Sequence, residues 1–316
     1  MKQYQKEVSQ LIDKLISDIL AGKLVSKRDI NNAIKNFAKE IKIPMDKLVL
    51  RLREEMYYEA QGASKAVTKA LMTVNQANVI QSMSPKDISI LVDRLFSTEI
   101  IFEELSGDKL IKKAVSIIDN LNNVNNVTVK DVKAKILGGY ISGASPAEIA
   151  SSLIGNKRAK KERNYLKTIS FTVIHKANEL ANLETFIANE KFIKWILYKT
   201  VGDERVDDVC FRAEMESIQL KLKPREYKRQ HMLVPSAHWG CRCSLQAMTS
   251  DEDNIADAIL SAKKRKYGIK YVDGVKEGNR CVPPKWLKSS MTISNIKKIK
   301  GKCRYSYKEY LGESSD

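Results

Sequence analysis

Four side chains that can bind a soft metal ion occur in the last third of the chain. They are Cys210, His238, Cys241 and Cys243. Three cysteines and one histidine form a common ligand set for structural zinc, and two residues between His238 and Cys241 are a good chelate spacing. On a strand, Cys241 and Cys243 would face one side and Arg242 the other. The sequence therefore predicts a folding corner that holds a structural zinc ion. The alternative is that the thiols are apolar packing and His238 is a hydrogen-bonded corner residue.

The other cysteines, Cys281 and Cys303, have no histidine near them in the sequence, and we interpret them as free thiols. An odd total of five cysteines argues against a disulfide framework. Residues 1–20 form an amphipathic pattern that contains acids, which is unlike a signal peptide. No window approaches eighteen uncharged apolar residues, so we expect no transmembrane span. These features predict a protein that is made in a cytoplasm and remains there or in an assembly formed there.

Asp203 and Arg205 are the other polar pair with chemical potential. Arg205 could hold a carbonyl or a carboxylate at two points, which suits a structural bracket. A catalytic role for Asp203 would need a partner base, but His175 and His231 occupy unremarkable positions in the sequence. No nucleophile motif is present. We therefore predict a structural role for this pair and no enzyme activity.

The elements that position these residues follow from periodicity. Residues 192–201 are β-branched and aromatic, which predicts a strand, and residues 243–248 form a second, shorter one. A long helix is expected over about 165–189. Ser145-Pro146-Ala147-Glu148 has the pattern of a capping box and predicts a helix start. The chain is thus expected to be mostly α, with a small α+β domain in its C-terminal part that is closed by the Cys/His corner.

The first 120 residues are expected to be helical, with Pro44 ending one helix. Four asparagines between positions 122 and 126 disfavour a continuous helix and predict a turn or linker. We therefore divide the chain into an N-terminal helical docking region (1–127), a second domain (128–250) and a basic C-terminal extension (251–316).

The net charge of +17 is concentrated at the end of the chain. Residues 263–316 contain 15 Lys and Arg against 5 Asp and Glu. Such a segment attracts polyanions by neutralising phosphates and releasing counterions. The alternative is a lysine-rich solubilising surface. The predicted DNA-contacting residues are Lys263, Lys264, Arg265, Lys266, Lys297, Lys298, Lys300, Lys302 and Arg304. Tyr271–Val275 also predicts a hairpin with an Asp-Gly turn.

Between about 128 and 250 the sequence resembles the Mu F-like family of phage head morphogenesis proteins. The family shows a Trp-containing strand, an Asp-x-Arg turn, a Cys or His, a variable loop and a closing Pro-x-x-His-x-x-Cys-Arg-Cys. The matching residues here are Trp195, Asp203, Arg205, Cys210, Pro235, His238, Cys241, Arg242 and Cys243. An upstream Gly-x-Ser-x-x-Glu-Ile-Ala feature corresponds to Gly143, Ser145, Glu148, Ile149 and Ala150. Where family members often carry Arg-Thr-Glu in the long helix, this chain has residues 175–179, of which Glu179 corresponds.

The resemblance implies a minor head protein present in a few copies per virion, inside the head near the portal vertex. Its implied roles are head assembly, DNA binding and aid in DNA delivery, with portal, scaffold or coat proteins as partners. One alternative is a zinc-dependent nucleic-acid enzyme of the His-Cys nuclease type. That enzyme would need a second metal-holding His or Asn on a following helix, but no His follows His238. A toxin module fused to a head-type domain is the other alternative, and the segment after 250 is short and basic for a catalytic domain.

Overall fold

The computed structural model describes most of the chain up to residue 249 and five strands beyond it. The described ranges are 2–24, 26–75, 80–106, 109–154, 157–201, 206–249, 271–273, 275–277, 280–282, 293–299 and 302–307. In these ranges the protein is mostly helical with small sheets, so the predicted fold class is confirmed. Among the described residues, no helix is long and apolar enough to cross a membrane.

Helices dominate the chain up to residue 229. They are α1 (Lys2–Leu20), α2 (Lys27–Glu40), α3 (Lys42–Asn75), α4 (Pro85–Ser97), α5 (Ile117–Ile141), α6 (Pro146–Ile154), α7 (Lys157–Ala188), α8 (Asp208–Leu220) and α9 (Pro224–Arg229).

The strands form small, separate sheets. They are β1 (Ile100–Ser106), β2 (Lys109–Val115), β3 (Trp195–Lys199), β4 (Ser244–Met248), β5 (Tyr271–Asp273), β6 (Val275–Glu277), β7 (Arg280–Val282), β8 (Ile293–Ile299) and β9 (Lys302–Tyr307). The sheets are β1-β2, β3-β4, β5-β9-β8 and β6-β7. The predicted Asp-Gly hairpin is therefore wrong, because β5 pairs with β9 and β6 with β7.

The described residues fall into two compact units, each made of separate stretches of chain. Unit 1 comprises Met1–Met56, Val92–Ile100 and Val115–Ile174, and unit 2 comprises Tyr57–Leu91, Ile101–Ala114 and His175–Asp316. In unit 1, α1 packs against α2 and α6, and α5 packs against the same two helices. Apolar residues of these four helices, Ile19, Phe37 and Ile136 among them, form its buried core together with the capping residue Ile41.

Two helices of unit 1 begin at capping boxes, one of which is the predicted helix start at Ser145. The Ser26 side chain accepts from the Asp29 backbone N–H, and Asp29 accepts in return from the Ser26 N–H. Ser145 and Glu148 make the same reciprocal pair at 3.3 and 2.7 Å. Each box satisfies helix N–H groups that have no partner within the helix.

The turn or linker predicted near residue 127 is wrong, since α5 runs without interruption through all four asparagines. Asn125 is buried, accepts from the Tyr4 hydroxyl at 2.8 Å and donates to the Ile41 carbonyl at 3.3 Å. Asparagine weakens helices because its side chain competes for backbone groups. Because the Asn125 side chain bonds to these distant partners, it does not compete for the backbone groups of α5. The domain boundary predicted at 127 therefore falls inside a helix.

Two further expectations for the N-terminal region need correction. The region is not wholly helical, because the β-branched and aromatic run that starts at Ile100 forms β1, which pairs with β2. Pro44 does not end a helix but lies in the first turn of α3, where its missing N–H costs no intrahelical bond. The boundary predicted at 250 adjoins residues that lie outside the described ranges.

Neighbouring glycines in α5 provide a matched test of the packing in unit 1. A Cβ atom on Gly139 would lie 2.5 Å from Cγ1 of Ile149, which is buried, whereas a Cβ on Gly138 would meet nothing within 4 Å. Gly139→Ala should therefore destabilise the protein by about 1–3 kcal/mol through overpacking. Gly138→Ala should stabilise it by about 0.5–1 kcal/mol, because alanine favours the helix. Urea unfolding measures both, and equal effects of the two substitutions would contradict the close approach of α5 and α6.

Unit 2 contains the antiparallel pair β3-β4, with Tyr198 opposite Leu245 and Lys199 opposite Ser244. Both predicted strands are confirmed, and so is the long helix, which starts earlier than expected, at Lys157. Ile196 and Tyr198 on β3 join the main core of unit 2, whereas Trp195 and Leu197 pack with Met248 in a smaller cluster. The two faces of β3 are thus both covered, which is why its residues lack polar alternation.

Candidate metal centre

Three of the four predicted ligands meet at one place in unit 2. The ligand atoms of Cys210, His238 and Cys241 all lie within 4.8 Å of one another. Cys210 lies in the first turn of α8, and the other two lie in the loop that precedes β4. The structure therefore contains a Cys/His group that could hold a metal ion.

Local backbone features present these residues to one another. The side chain of Asp207 caps α8 by accepting from the Val209 N–H at 3.0 Å, which orients the turn that carries Cys210. Residues 238–241 form a tight turn in which the Cys241 N–H donates to the His238 carbonyl at 3.3 Å. Gly240, the third residue of this turn, has a φ of 76°, a conformation that costs glycine little. The turn brings His238 and Cys241 to the same side of the loop.

The distances match those of tetrahedral coordination. The sulfur of Cys210 lies 3.6 Å from the sulfur of Cys241 and 3.2 Å from Nε2 of His238. Zn–S bonds of about 2.3 Å and Zn–N bonds of about 2.0 Å place two sulfurs about 3.8 Å apart and a sulfur and a nitrogen about 3.5 Å apart. The residues present therefore fit a zinc-sized ion in their arrangement and in their donor chemistry.

The hydrogen bond that His238 makes with its other ring nitrogen, Nδ1, also suits a metal ligand. Its Nδ1 lies 3.1 Å from the carbonyl oxygen of Trp239, which can only accept. In the neutral ring, a proton on Nδ1 leaves the lone pair of Nε2 directed at the cluster. Trp239 is itself held by an edge-to-face contact with Phe102, at a centroid distance of 4.7 Å.

The cysteine sulfurs of the centre shift one another's pKa values. Hydrogen bonds from Cys210 and Cys243, followed by one from His238, lower the pKa of Cys241. The hydrogen bond with Cys241, followed by that with Cys243 and by burial, raises the pKa of Cys210. The pKa of His238 is raised although burial lowers it, because His238 interacts with the Cys241 thiolate. The lowered pKa gives the Cys241 sulfur thiolate character, and it accepts hydrogen bonds from its neighbours in the place where a cation would bind thiolates.

Cys243 is the fourth candidate ligand and lies at the edge of the group. Its thiol interacts with both Cys210 and Cys241; the bond with Cys210 lowers its pKa, but Cys241 and burial raise it to about 12. β4 begins at Ser244, so Cys241 and Cys243 precede the strand and do not lie on it as expected. Both are nevertheless buried, with Arg242 half-buried between them.

Tyr198 adds a contact to the centre that the sequence did not indicate. Its hydroxyl donates to the sulfur of Cys210 at 3.1 Å and lies 3.9 Å from that of Cys241. Burial, followed by the nearby cysteines, raises the pKa of Tyr198 well above its ordinary value, so the hydroxyl stays protonated. A neutral donor beside two sulfurs stabilises thiolate character without adding charge.

The structure describes only some of the other residues of the family motif. Trp195 is the first residue of β3 and is buried, and Pro235 is buried in the loop before His238. Asp203 and Arg205 lie outside the described residues. Glu214 of α8 accepts from the N–H of Thr200 at 3.1 Å and from its hydroxyl at 2.6 Å, which anchors the end of β3 where the Asp-x-Arg segment begins.

The predicted DNA-contacting residues divide between described and undescribed parts of the chain. Lys263, Lys264, Arg265, Lys266 and Lys300 lie outside the described residues. Lys297 and Lys298 lie on β8, and Lys302 and Arg304 lie on β9. In the antiparallel register Lys297 is opposite Arg304, Lys298 opposite Cys303 and Ile299 opposite Lys302. Because strand positions alternate between faces, positions 297, 302 and 304 share one face and 298 lies on the other.

Three residues of α7 make contacts beside the metal centre that the sequence did not indicate. His175 donates from Nε2 to the Cys243 carbonyl at 2.6 Å, so its setting is far from unremarkable. Lys176 donates to the Val234 carbonyl at 2.9 Å, and Glu179 accepts from the Leu245 N–H at 2.7 Å. One signal in the sequence could have revealed these contacts. The three ionisable residues stand at positions i, i+1 and i+4 of a helix in which nearby residues, such as Val173 and Ala177, are fully buried.

Comparisons of the chain with protein-family models, with curated proteins and with solved structures found no match.

Proposed function

We propose that this chain is a minor head protein of a phage, of the Mu F-like type, with a zinc-pinned fold and a basic extension that binds packaged DNA. The observation that carries the proposal is the order and grouping of the motif. A buried Trp195 opens β3, Cys210 follows on α8, and the His-x-x-Cys-Arg-Cys segment returns to the same site. This is the residue order that the family resemblance rests on, and three of its members, Cys210, His238 and Cys241, place their ligand atoms within 4.8 Å of one another.

Zinc is the metal that the donor set favours. Thiolates and imidazole are ligands for zinc, whereas magnesium and calcium prefer oxygen. Cys210, His238 and Cys241 would hold the ion, with Cys243 as the fourth ligand. The ion would tie α8 to the loop that precedes β4, and its binding energy would contribute to the stability of the fold.

A structural role for the centre is supported by its burial. Cys210, Cys241 and Cys243 are at most 3% exposed. A catalytic metal keeps an open position for water or substrate, which four protein ligands with three buried cysteines among them would not offer. His175 donates to the Cys243 carbonyl, which engages its Nε2 in a structural contact. We therefore propose that the protein is not an enzyme.

The proposed location is the inside of the head near the portal vertex, where the extension would contact DNA and the helices of residues 2–97 would contact portal, scaffold or coat proteins. Residues 221–229, another basic segment of unit 2, are less suited to DNA. Its Arg225 pairs with Glu190 at 3.1 Å and its Lys228 pairs with Glu184 at 2.6 Å, so their charges are partly neutralised. The excess charge of residues 263–316 therefore supports the extension as the DNA-binding segment.

DNA binding by the purified full-length protein tests the proposal. If about five basic side chains engage phosphates, the plot of log affinity against log salt should have a slope of about −4 to −5 on duplex DNA. Binding should show little sequence preference, because phosphate contacts carry little sequence information. Plasmid DNA incubated with the protein and Mg²⁺ or Zn²⁺ should stay intact. Cleavage that is abolished by His238→Ala would instead favour the nuclease alternative, and a failure to bind at low salt would remove the DNA-binding role.

A further inference from the structure

Strand β3 reaches the proposed metal centre through the side chain of Tyr198. The backbone N–H of this residue donates to the Ser217 hydroxyl on α8 at 2.9 Å, and in the β3-β4 register it lies opposite Leu245. Its side chain is fully buried, and its hydroxyl donates to the Cys210 sulfur at 3.1 Å and lies 3.9 Å from the Cys241 sulfur. Two neighbouring elements thus fix the backbone of Tyr198, and its buried ring presents the hydroxyl to two of the proposed ligands.

A hydroxyl at this position needs an explanation, because phenylalanine would fill the same space. Burying a hydroxyl costs free energy unless it makes a hydrogen bond. The sulfur of a neutral thiol is a weak acceptor, whereas the sulfur of a metal-bound thiolate is ionised and accepts a stronger bond. The bond from Tyr198 to Cys210 should therefore be stronger when the centre holds a metal ion than when it is metal-free.

Tyr227 on α9 provides a comparison within the same core. It is also buried, but its hydroxyl donates to the Leu233 carbonyl at 2.5 Å. A backbone carbonyl is uncharged whether or not the centre holds a metal, so this bond should not depend on the metal. The two tyrosines therefore separate a hydroxyl that acts on a metal ligand from one that supports the fold alone.

We infer that Tyr198 is a positioning residue of the metal centre, whose hydroxyl donates to the metal-bound sulfur of Cys210 and strengthens metal binding through that bond. Outer-shell hydrogen bonds orient metal ligands and adjust their interaction with the ion. The hydroxyl lies nearer to Cys210 than to Cys241, so Cys210 is the ligand on which it mainly acts. The inference rests on the zinc binding in the proposed function and adds β3 to the elements that hold the ion.

Zinc affinity of the full-length protein, measured by competition with a chromophoric chelator, tests the inference. Tyr198→Phe keeps the ring and removes only the hydroxyl, and it should weaken zinc binding by about 10-fold, the lower end of the effect of losing an outer-shell partner. Tyr227→Phe is the matched control, because it removes a buried hydroxyl from the same core, and it should leave the zinc affinity unchanged.

Spectroscopy reports on the sulfur itself. With cobalt(II) in place of zinc, the sulfur-to-metal absorption should move to longer wavelength in Tyr198→Phe but not in Tyr227→Phe, because only the first substitution removes a donor that stabilises the sulfur lone pairs. In wild-type protein loaded with an NMR-active cadmium isotope, the Tyr198 hydroxyl proton should show scalar coupling to the metal through Cys210, and this measurement needs no variant.

Melting temperatures with and without zinc separate this role from a purely structural one. Because binding to the folded state adds to stability, Tyr198→Phe should lower the melting temperature more in the metal-loaded protein than in the metal-free protein. Equal losses in both forms, with zinc affinity and cobalt absorption unchanged, would overturn the inference and leave the zinc of the proposed function in place. Wild-type protein that binds no zinc would overturn both, whereas the proposed DNA binding is measured separately through its salt slope.

Discussion

Cys241→Ser should lower the free energy of unfolding of the metal-loaded protein by about 3 kcal/mol or more, the largest effect that we expect from a single substitution. Cys241 contacts Cys210 and the tight turn of His238, so a metal bound there joins α8 to the loop before β4. A zinc ion that binds only the folded state would add its binding energy to folding stability, with an upper bound of roughly 10–16 kcal/mol from zinc-finger peptides. Thermal unfolding with and without a chelator measures the loss.

The chelator also provides the control. It should lower the melting temperature of the wild-type protein but have little further effect on Cys241→Ser, because both treatments remove the same interaction. Cys243→Ser tests the fourth ligand and should behave like Cys241→Ser. Protein that contains no zinc by elemental analysis, together with a Cys241→Ser variant that melts unchanged, would refute both the metal site and the structural role of the corner.

Local patterns in the sequence predict the two strands of unit 2 beside this centre and one helix of unit 1. The β-branched and aromatic run around Trp195 predicts β3, the shorter run after Cys243 predicts β4, and Ser145 with Glu148 predicts the start of α6. Each of these signals arises from a few consecutive residues, and each element forms where the signal lies. The ligand set is predictable for a related reason, since Cys and His in these spacings have few other uses.

The errors arise where distant residues decide the local structure. Asn125 disfavours a helix by itself, yet α5 continues because Tyr4 and Ile41 provide partners that lie far away in the sequence. The contacts that His175 and Lys176 make depend on carbonyls of Cys243 and Val234, which are about sixty residues distant and carry no signal in their side chains. Backbone carbonyls are invisible to any pattern of residue types, so the outer shell of the centre becomes visible only in the fold.

Deletion of residues 263–316 should weaken DNA binding by roughly two or more orders of magnitude at moderate salt and flatten the salt slope, because phosphate contacts dominate such affinity. The segment has 15 basic residues against 5 acidic ones, which is most of the excess charge of the chain. The melting temperature of the truncated protein should stay near that of the full chain, since the main hydrophobic cores of units 1 and 2 are formed by residues 8–247. Fluorescence anisotropy with a labelled duplex at several salt concentrations measures affinity and slope together.

Adjacent lysines on β8 provide the matched test of which surface of the extension binds. Position 297 shares a face with 302 and 304, whereas position 298 lies on the opposite face beside 303. If the face with three basic positions contacts DNA, Lys297→Gln should reduce the negative salt slope by about 0.9, and Lys298→Gln should leave it unchanged. Equal effects of the two substitutions would contradict a single binding face. A truncated protein that binds with the same affinity and slope would place the DNA surface elsewhere, with residues 157–163 or 221–229 as the next segments to test.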